Sequence, residues 1–305
     1  FYKNKILKLY NPIFHPLKFL TSNFLSIFTT KDIYKCAKLL FINKKVDSTT
    51  NIYLNNTFSD KANQYFFNPF FKGVFLDDEL SNKFNFFKKM FKKFTFGKAG
   101  IPADGMNDLP KNIIQKGSLN NIIYNMTLKK IDKNKAIFDS KIVEFDKIVL
   151  ALPIHQIDKI LNLKIKFSYN SNSTFYFASD YKVLDKSLLL IPEKEFNANS
   201  IQCLSNISSN YSPKDKYLYS MSSNNDMWDL HEAKDEFEKI TGLNKNQYEF
   251  IKSYKIAKAL PKEKIAIKND FKNILFCGDW SEEPSIDGAI KSGRKAAESI
   301  LKDLK

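Results

Sequence analysis

Arginine is nearly missing from this chain: Arg294 is its single instance, and every other basic residue is lysine. The formal charge of +15 therefore comes without the planar, bidentate forks that read phosphate and guanine, which argues against a nucleic-acid footprint. Lysine, asparagine, isoleucine and phenylalanine are enriched together, as an AT-rich coding sequence produces without selection for binding. Cysteine is scarce: Cys36, Cys203 and Cys277 stand far apart, excluding a disulfide framework or a zinc site and pointing to a reducing, cytoplasmic compartment. The longest uncharged apolar stretch, around Phe19 to Phe28, is broken by Thr21, Ser22 and Asn23 and falls short of the roughly 18 residues of a spanning helix. His15, His155 and His231 have no ligand or triad spacing, so each reads as a surface or packed residue; no metal site is expected and no catalytic residue is identified. The nine glycines nowhere give G-x-G-x-x-G, and no acidic residue closes a second strand of that type, so a phosphate-binding glycine loop is missing. The chain opens at Phe1 with neither methionine nor a signal-peptide pattern, which reads as an N-terminally truncated fragment.

What remains is globular in composition, 43% hydrophobic and 27% charged, enough to bury a substantial core. Residues 1–95 read mainly as helix and loop, with Pro12 and Pro16 breaking the opening segment and helices near Lys31 to Phe41 and Ser81 to Phe94. In the second helix Phe84, Phe87, Met90, Phe91 and Phe94 recur at three-to-four spacing with lysines on the other faces. Two readings of it stay open, a core helix with solvated lysines and a basic helix lying on a membrane surface. A turn-rich loop from Gly97 to Met106 precedes a short helix, Asn107 to Gln115. Strands are expected at Asn121 to Leu128, Ala136 to Phe138 and Ile142 to Glu144, and the continuous apolar run within Asp146 to Pro153 reads as a buried strand. Alternation through Thr174 to Ala178, Ser187 to Ile191 and Lys216 to Met221 predicts an antiparallel sheet, followed by a helix from Trp228 to Thr241 stopped at Gly242 and a strand from Tyr248 to Ala257.

The most informative stretch is the last: Asn273-Ile-Leu-Phe-Cys-Gly-Asp-Trp280, a loop through Pro284, then a helix from Ser285 to Leu304. Ile286, Ala289, Ile290, Gly293, Ala296, Ala297, Ile300, Leu301 and Leu304 form an apolar stripe on it. Gly278 at the strand's end lets a ligand approach the backbone, and Asp279 offers a carboxylate to sugar-like hydroxyls. Backbone N–H groups near Asp287, Gly288 and Ala289 lie at the positive end of the helix dipole, where they can stabilise negative charge on a bound ring. Trp280 reads equally as a cover over that ligand or as core, and Cys277 as a small buried hydrophobe. By spacing alone, an ordinary strand-turn-helix closing an α/β sheet fits as well.

Cys277-Gly-Asp-Trp followed by Ser285-Ile-Asp-Gly-Ala-Ile-Lys-Ser-Gly-Arg294 resembles the C-terminal flavin-binding signature of the amine oxidase, protoporphyrinogen oxidase and phytoene desaturase superfamily. Phe96 to Pro110, Phe145 to Pro153, Ala257 to Pro261 and, less specifically, Phe67 to Phe75 are similar to further family segments. The resemblance implies a mixed α/β (α+β) fold, the C-terminal part of a two-domain FAD-binding, Rossmann-like protein of amine-oxidase type. Residues 96–165 and 266–305 would then belong to the FAD-binding domain. Residues 1–95 and 166–265 would form a substrate domain of helices and antiparallel sheet. It also implies FAD as cofactor, held by Gly278, Asp279, Trp280, Ser285, Ile286, Asp287, Gly288 and Ala289. The expected reaction is hydride transfer from a small, lipophilic or otherwise organic substrate to the flavin, with peripheral membrane contact for a lipid-soluble one. The competing expectation is a cofactor-free remnant or basic interaction module, supported by the missing glycine loop.

Overall fold

The structure is a computed structural model that describes residues 6–41, 46–119, 121–267 and 271–303. From the N-terminus the helices are α1 (Pro16–Leu20), α2 (Phe24–Ile27), α3 (Thr30–Phe41), α4 (Thr50–Thr57), α5 (Asp60–Ala62), α6 (Asn68–Phe75), α7 (Phe84–Phe96) and α8 (Asp108–Lys116). There follow β1 (Leu128–Asp132), β2 (Lys135–Phe138), β3 (Ile142–Glu144), β4 (Ile148–Ala151), α9 (Ile154–Leu161), β5 (Tyr169–Ser179), β6 (Leu188–Leu190), β7 (Ser200–Cys203) and β8 (Tyr217–Ser223). The chain ends with α10 (Leu230–Thr241), β9 (Glu249–Pro261), β10 (Ile274–Cys277) and α11 (Ile286–Asp303). Contacts divide it into unit 1, Phe1–Ile113 with Asn170–Ala259, and unit 2, Ile114–Tyr169 with Leu260–Lys305. No helix among the described residues is long and apolar enough to cross a membrane.

Unit 1 holds two cores. The helical one is built on phenylalanine, with Phe58, Phe67, Phe71, Phe75, Phe84 and Phe87 buried together. Each such ring contributes about 2–3 kcal/mol by leaving water, before the entropy of ordering it. Pro16, expected to break the chain, instead opens α1, where its fixed φ suits the first turn and its missing N–H costs nothing. Helix α7 begins at Phe84 rather than Ser81 because the Asp77 carboxylate takes both the Ser81 amide (2.7 Å) and its hydroxyl (2.8 Å), holding that residue in a turn. The apolar face of α7 packs into the phenylalanine core. In the first turn of α3, buried Asp32 accepts four hydrogen bonds of 2.7 to 2.8 Å from the amides and hydroxyls of Thr29 and Ser59.

The second core lies on an antiparallel sheet ordered β6-β7-β8-β5-β9. Its alternation buries Phe175 and Phe177 from β5 and Tyr219 and Met221 from β8 against Ala233 and Phe237 of α10, with Trp228 beside them. Helix α10 has local start and stop signals: Asp229 and Glu232 form a capping box, and Gly242 ends it with φ 74°.

Unit 2 pairs an antiparallel sheet, β1-β2-β3, with a parallel pair, β4 and β10, in the register Ile148↔Ile274 to Ala151↔Cys277. Its core gathers Leu150, Ile154, Ile157, Ile265, Ile274 and Trp280. Asn121 to Leu128 is not a strand: it is irregular up to β1, and Asn125 turns the backbone left-handed with φ 58°. On α11 Ala296 is the buried member of the apolar stripe among the described residues. Ile286, Ile290 and Leu301 are exposed, while Gly288, Ser292 and Ala296 face inward. Small side chains four residues apart let the helix approach β10 closely, and Ser292 Oγ accepts the Gly278 amide at 2.9 Å. Leu304 lies outside the described residues.

Candidate functional site

Strands β4 and β10 run parallel and end together, and the crevice beyond such carboxyl ends is where open α/β sheets hold ligands. Trp280 ties the two ends: it is 1% exposed and its indole N–H donates to the Leu152 carbonyl at 2.9 Å. Of its two sequence readings, core packing is the one the geometry realises. The same ring explains Gly278, because a Cβ there would lie 2.3 Å from Trp280 Nε1. The space over this glycine is thus filled by indole rather than left open for a ligand.

Asp279 follows immediately. Its carboxylate accepts the Trp280 amide at 2.9 Å, and no cation among the described residues lies within ion-pair distance of it. Burial dominates, and its pKa is raised above the usual carboxylate range despite the backbone amides. Nearby, Tyr169 is raised as well, chiefly by burial and further by the Asp279 charge. The Tyr169 hydroxyl stands 3.4 Å from His155 Nδ1. Sequence spacing gave no reason to single out His155 or Tyr169. The one available signal was the position of His155 just past Pro153, at the carboxyl end of the strand.

The other predicted residues open α11. Ser285 caps it, its hydroxyl accepting the Gly288 amide at 3.0 Å, and its carbonyl accepts the Ala289 amide at 2.9 Å. Two of the amides expected to face a ligand are therefore engaged within the first turn. Gly288 is buried, with no room for a Cβ, which would meet the Glu283 carbonyl oxygen at 1.9 Å. Ile286 and Asp287 are exposed, and the Asp287 carboxylate sits at the positive end of the dipole.

Glu282 was not anticipated. Its nearly buried carboxylate receives Lys295 at 2.5 Å and Lys291 at 2.9 Å, with Lys264 at 3.8 Å. These lysines hold the group down to about 2. A cavity of about 350 Å³ beside α11 is lined by Lys264, Ile265, Phe276, Trp280, Glu282 and Lys295 among others, so of the eight predicted residues it touches Trp280 alone.

The residues present fit a flavin in part: the Asp279 carboxylate is an acceptor to which sugar-chain hydroxyls could donate, and α11 supplies a dipole, but nothing among the described residues replaces a glycine loop for a pyrophosphate.

A parallel strand pair followed by a long helix in one unit and an antiparallel sheet carrying helices in the other make a mixed α/β fold. The chain belongs to the flavin containing amine oxidoreductase family, whose profile matches residues 37–241. The family's cofactor is FAD. Among solved structures the chain is similar to an oxidoreductase from Methanosarcina mazei, with 16% identity, TM-score 0.72, and 90% of this chain and 74% of that one covered. A protein from Pyrococcus furiosus gives 13% identity, TM-score 0.70, and coverage of 90% and 72%. A reduced UDP-galactopyranose mutase gives 11%, 0.54, and coverage of 75% and 60%. At such identities the likeness speaks for the fold alone. No curated protein sequence matches the chain. The matched residues stop before Cys277 to Arg294, so the C-terminal stretch rests on its own residues.

Proposed function

We propose that unit 2 contributes the ring-facing part of an FAD site, and that the protein oxidises a small organic substrate by hydride transfer. The observation that carries this reading is Asp279, a partly buried carboxylate with no cation among the described residues within ion-pair distance, at the shared end of two parallel strands and next to the start of an 18-residue helix. When bound, the flavin supplies a two-electron acceptor. The chain's own residues do the holding. Asp279 accepts hydrogen bonds from sugar-chain hydroxyls, and the dipole of α11 favours negative charge near Ser285 to Ala289. Tyr169 lies close enough to feel the Asp279 charge, and the His155 imidazole stands 3.4 Å from its hydroxyl. Trp280 and Gly278 keep the strand ends in register so that Asp279 points one way.

The test is flavin content of the full gene product and of Asp279→Ala, measured by absorbance after purification and by titration with added FAD. Loss of a charge-assisted bond should weaken affinity by roughly ten- to a hundredfold. Undiminished flavin binding by Asp279→Ala would remove this residue from the site. A folded gene product with no flavin affinity would instead favour the cofactor-free reading.

A further inference from the structure

Coding bias accounts for the abundance of lysine in this chain but not for where its carboxylates are missing. Residues 1–31 and 81–103 together hold eleven lysines and no aspartate or glutamate, whereas 33 acidic residues in 305 would put about six in that length. Unit 1 packs described parts of the two stretches against each other. The Asn11 side chain donates to the Thr95 carbonyl at 3.0 Å, tying the loop before α1 to the end of α7. Beside that bond the Lys98 ammonium stands over the Phe14 ring, 5.8 Å from its centre.

Large apolar side chains stand out from this junction instead of filling the core. Leu17 on α1 is 80% exposed, Phe96 at the end of α7 is 56% exposed, and Ile13 in the loop is 47% exposed. The stripe of α7 itself is already used, because Phe84 and Phe87 are buried in the phenylalanine core. That helix therefore does not lie with its apolar face on another surface. Phe96 instead shares a face with Lys89, Lys92 and Lys93, which precede it by seven, four and three residues. Two further ammonium groups, Lys18 and Lys186, lie over the Tyr10 ring at 5.9 and 4.7 Å from its centre. Asp185, next to Lys186, is paired with Lys8 at 2.9 Å.

We infer that this face of unit 1 docks on an anionic lipid bilayer, with Ile13, Leu17 and Phe96 entering the headgroup layer and the lysines meeting its charge. An acidic protein or polymer would satisfy the lysines and leave the apolar tips in water. A neutral apolar surface would take the tips and strip water from the ammonium groups. Apolar tips rimmed by lysine match a surface that is anionic outside with hydrocarbon beneath. The inference rests on unit 1 alone and stands or falls independently of the flavin reading.

It is tested by co-sedimentation of the purified chain with vesicles of phosphatidylcholine alone and of phosphatidylcholine with about one-third phosphatidylglycerol. Binding to the anionic vesicles should exceed that to the neutral ones by at least about tenfold and should fall as salt is added. The double variant Leu17→Ser, Phe96→Ser should bind the anionic vesicles about tenfold more weakly. Both side chains are exposed, so its melting temperature should match the parent's. Lys98→Gln should weaken binding roughly fivefold. Absence of binding to the anionic vesicles by the folded chain, or equal binding to both kinds, would overturn the inference. So would undiminished binding by the double variant; equal retention of parent and double variant on immobilised poly-L-glutamate would then assign the face to an acidic macromolecule.

Discussion

Neutralising Glu282 should loosen α11 from the rest of unit 2. The carboxylate is joined to Lys295 and Lys291 on the helix and lies 3.8 Å from Lys264 on the segment before β10. A carboxyl carried from an ordinary 4.5 to about 2 by these partners is worth at most about 3 kcal/mol by linkage. The lysines are 41 to 59% exposed and so screened by water, which discounts the figure to about 2 kcal/mol. The folded-state value is depressed, so this stability is present above about pH 4.5 and is lost as pH falls from there toward 2. Glu282→Gln keeps the shape and removes the charge. Hydrogen exchange at pH 7 should then be about thirtyfold faster across the amides of α11, since roughly 1.4 kcal/mol is a factor of ten. The urea midpoint of the parent should decline between pH 4.5 and 2, and that of the variant should be flatter. Exchange in α11 within about twofold of the parent would refute the reasoning and place these ion pairs with ordinary surface pairs of no net worth.

Gly278→Ala forces a Cβ to 2.3 Å from the Trp280 indole, and thermal denaturation should report a loss of about 3 kcal/mol in unit 2; a neutral result would mean that the indole is not held there. Asp32→Asn places an amide NH₂ against donors that now meet a carboxylate, at a cost of about 3 kcal/mol in urea unfolding. Burial alone would raise the Asp32 pKa, but the bonds from Thr29 and Ser59 outweigh it and lower it. Stability owed to Asp32 should therefore fall as pH drops below the usual carboxylate range, and a flat profile would contradict the geometry. The three thiols should resist iodoacetamide at pH 8 in the native protein and react in urea, because burial pushes Cys36 to about 12 and raises Cys203 and Cys277. Rapid labelling of any of them in the folded chain, read by mass spectrometry, would show that it is not buried.

What the sequence determined by itself is local. The capping box of Asp229 and Glu232, the stop at Gly242, the alternation of Phe175 and Phe177 and the strand-turn-helix from Asn273 onward all act over a few residues, where dihedral preference and side-chain period decide the outcome. Where an apolar run lacked such a signal the reading failed. Ile122 to Tyr124 have strand composition but are exposed and irregular, because composition does not say whether a partner strand exists. The π-helical turn at Asn63–Phe67 has no sequence period of its own and went unseen.

Only the tertiary structure decided which face of α11 is buried. Apolar content favours Ile286, Ile290 and Leu301, but close approach to β10 needs the small side chains of Gly288, Ser292 and Ala296. The candidate site was legible as a motif and not as an arrangement. The purpose of Gly278 depends on Trp280, whose indole is placed by the Leu152 carbonyl 128 residues earlier. The bond between Tyr169 and His155, and the lysines around Glu282, likewise exist only once separate elements have packed on one another. Such contacts arise when packing repays the entropy of closing long loops, and no local pattern in the chain records where that happens.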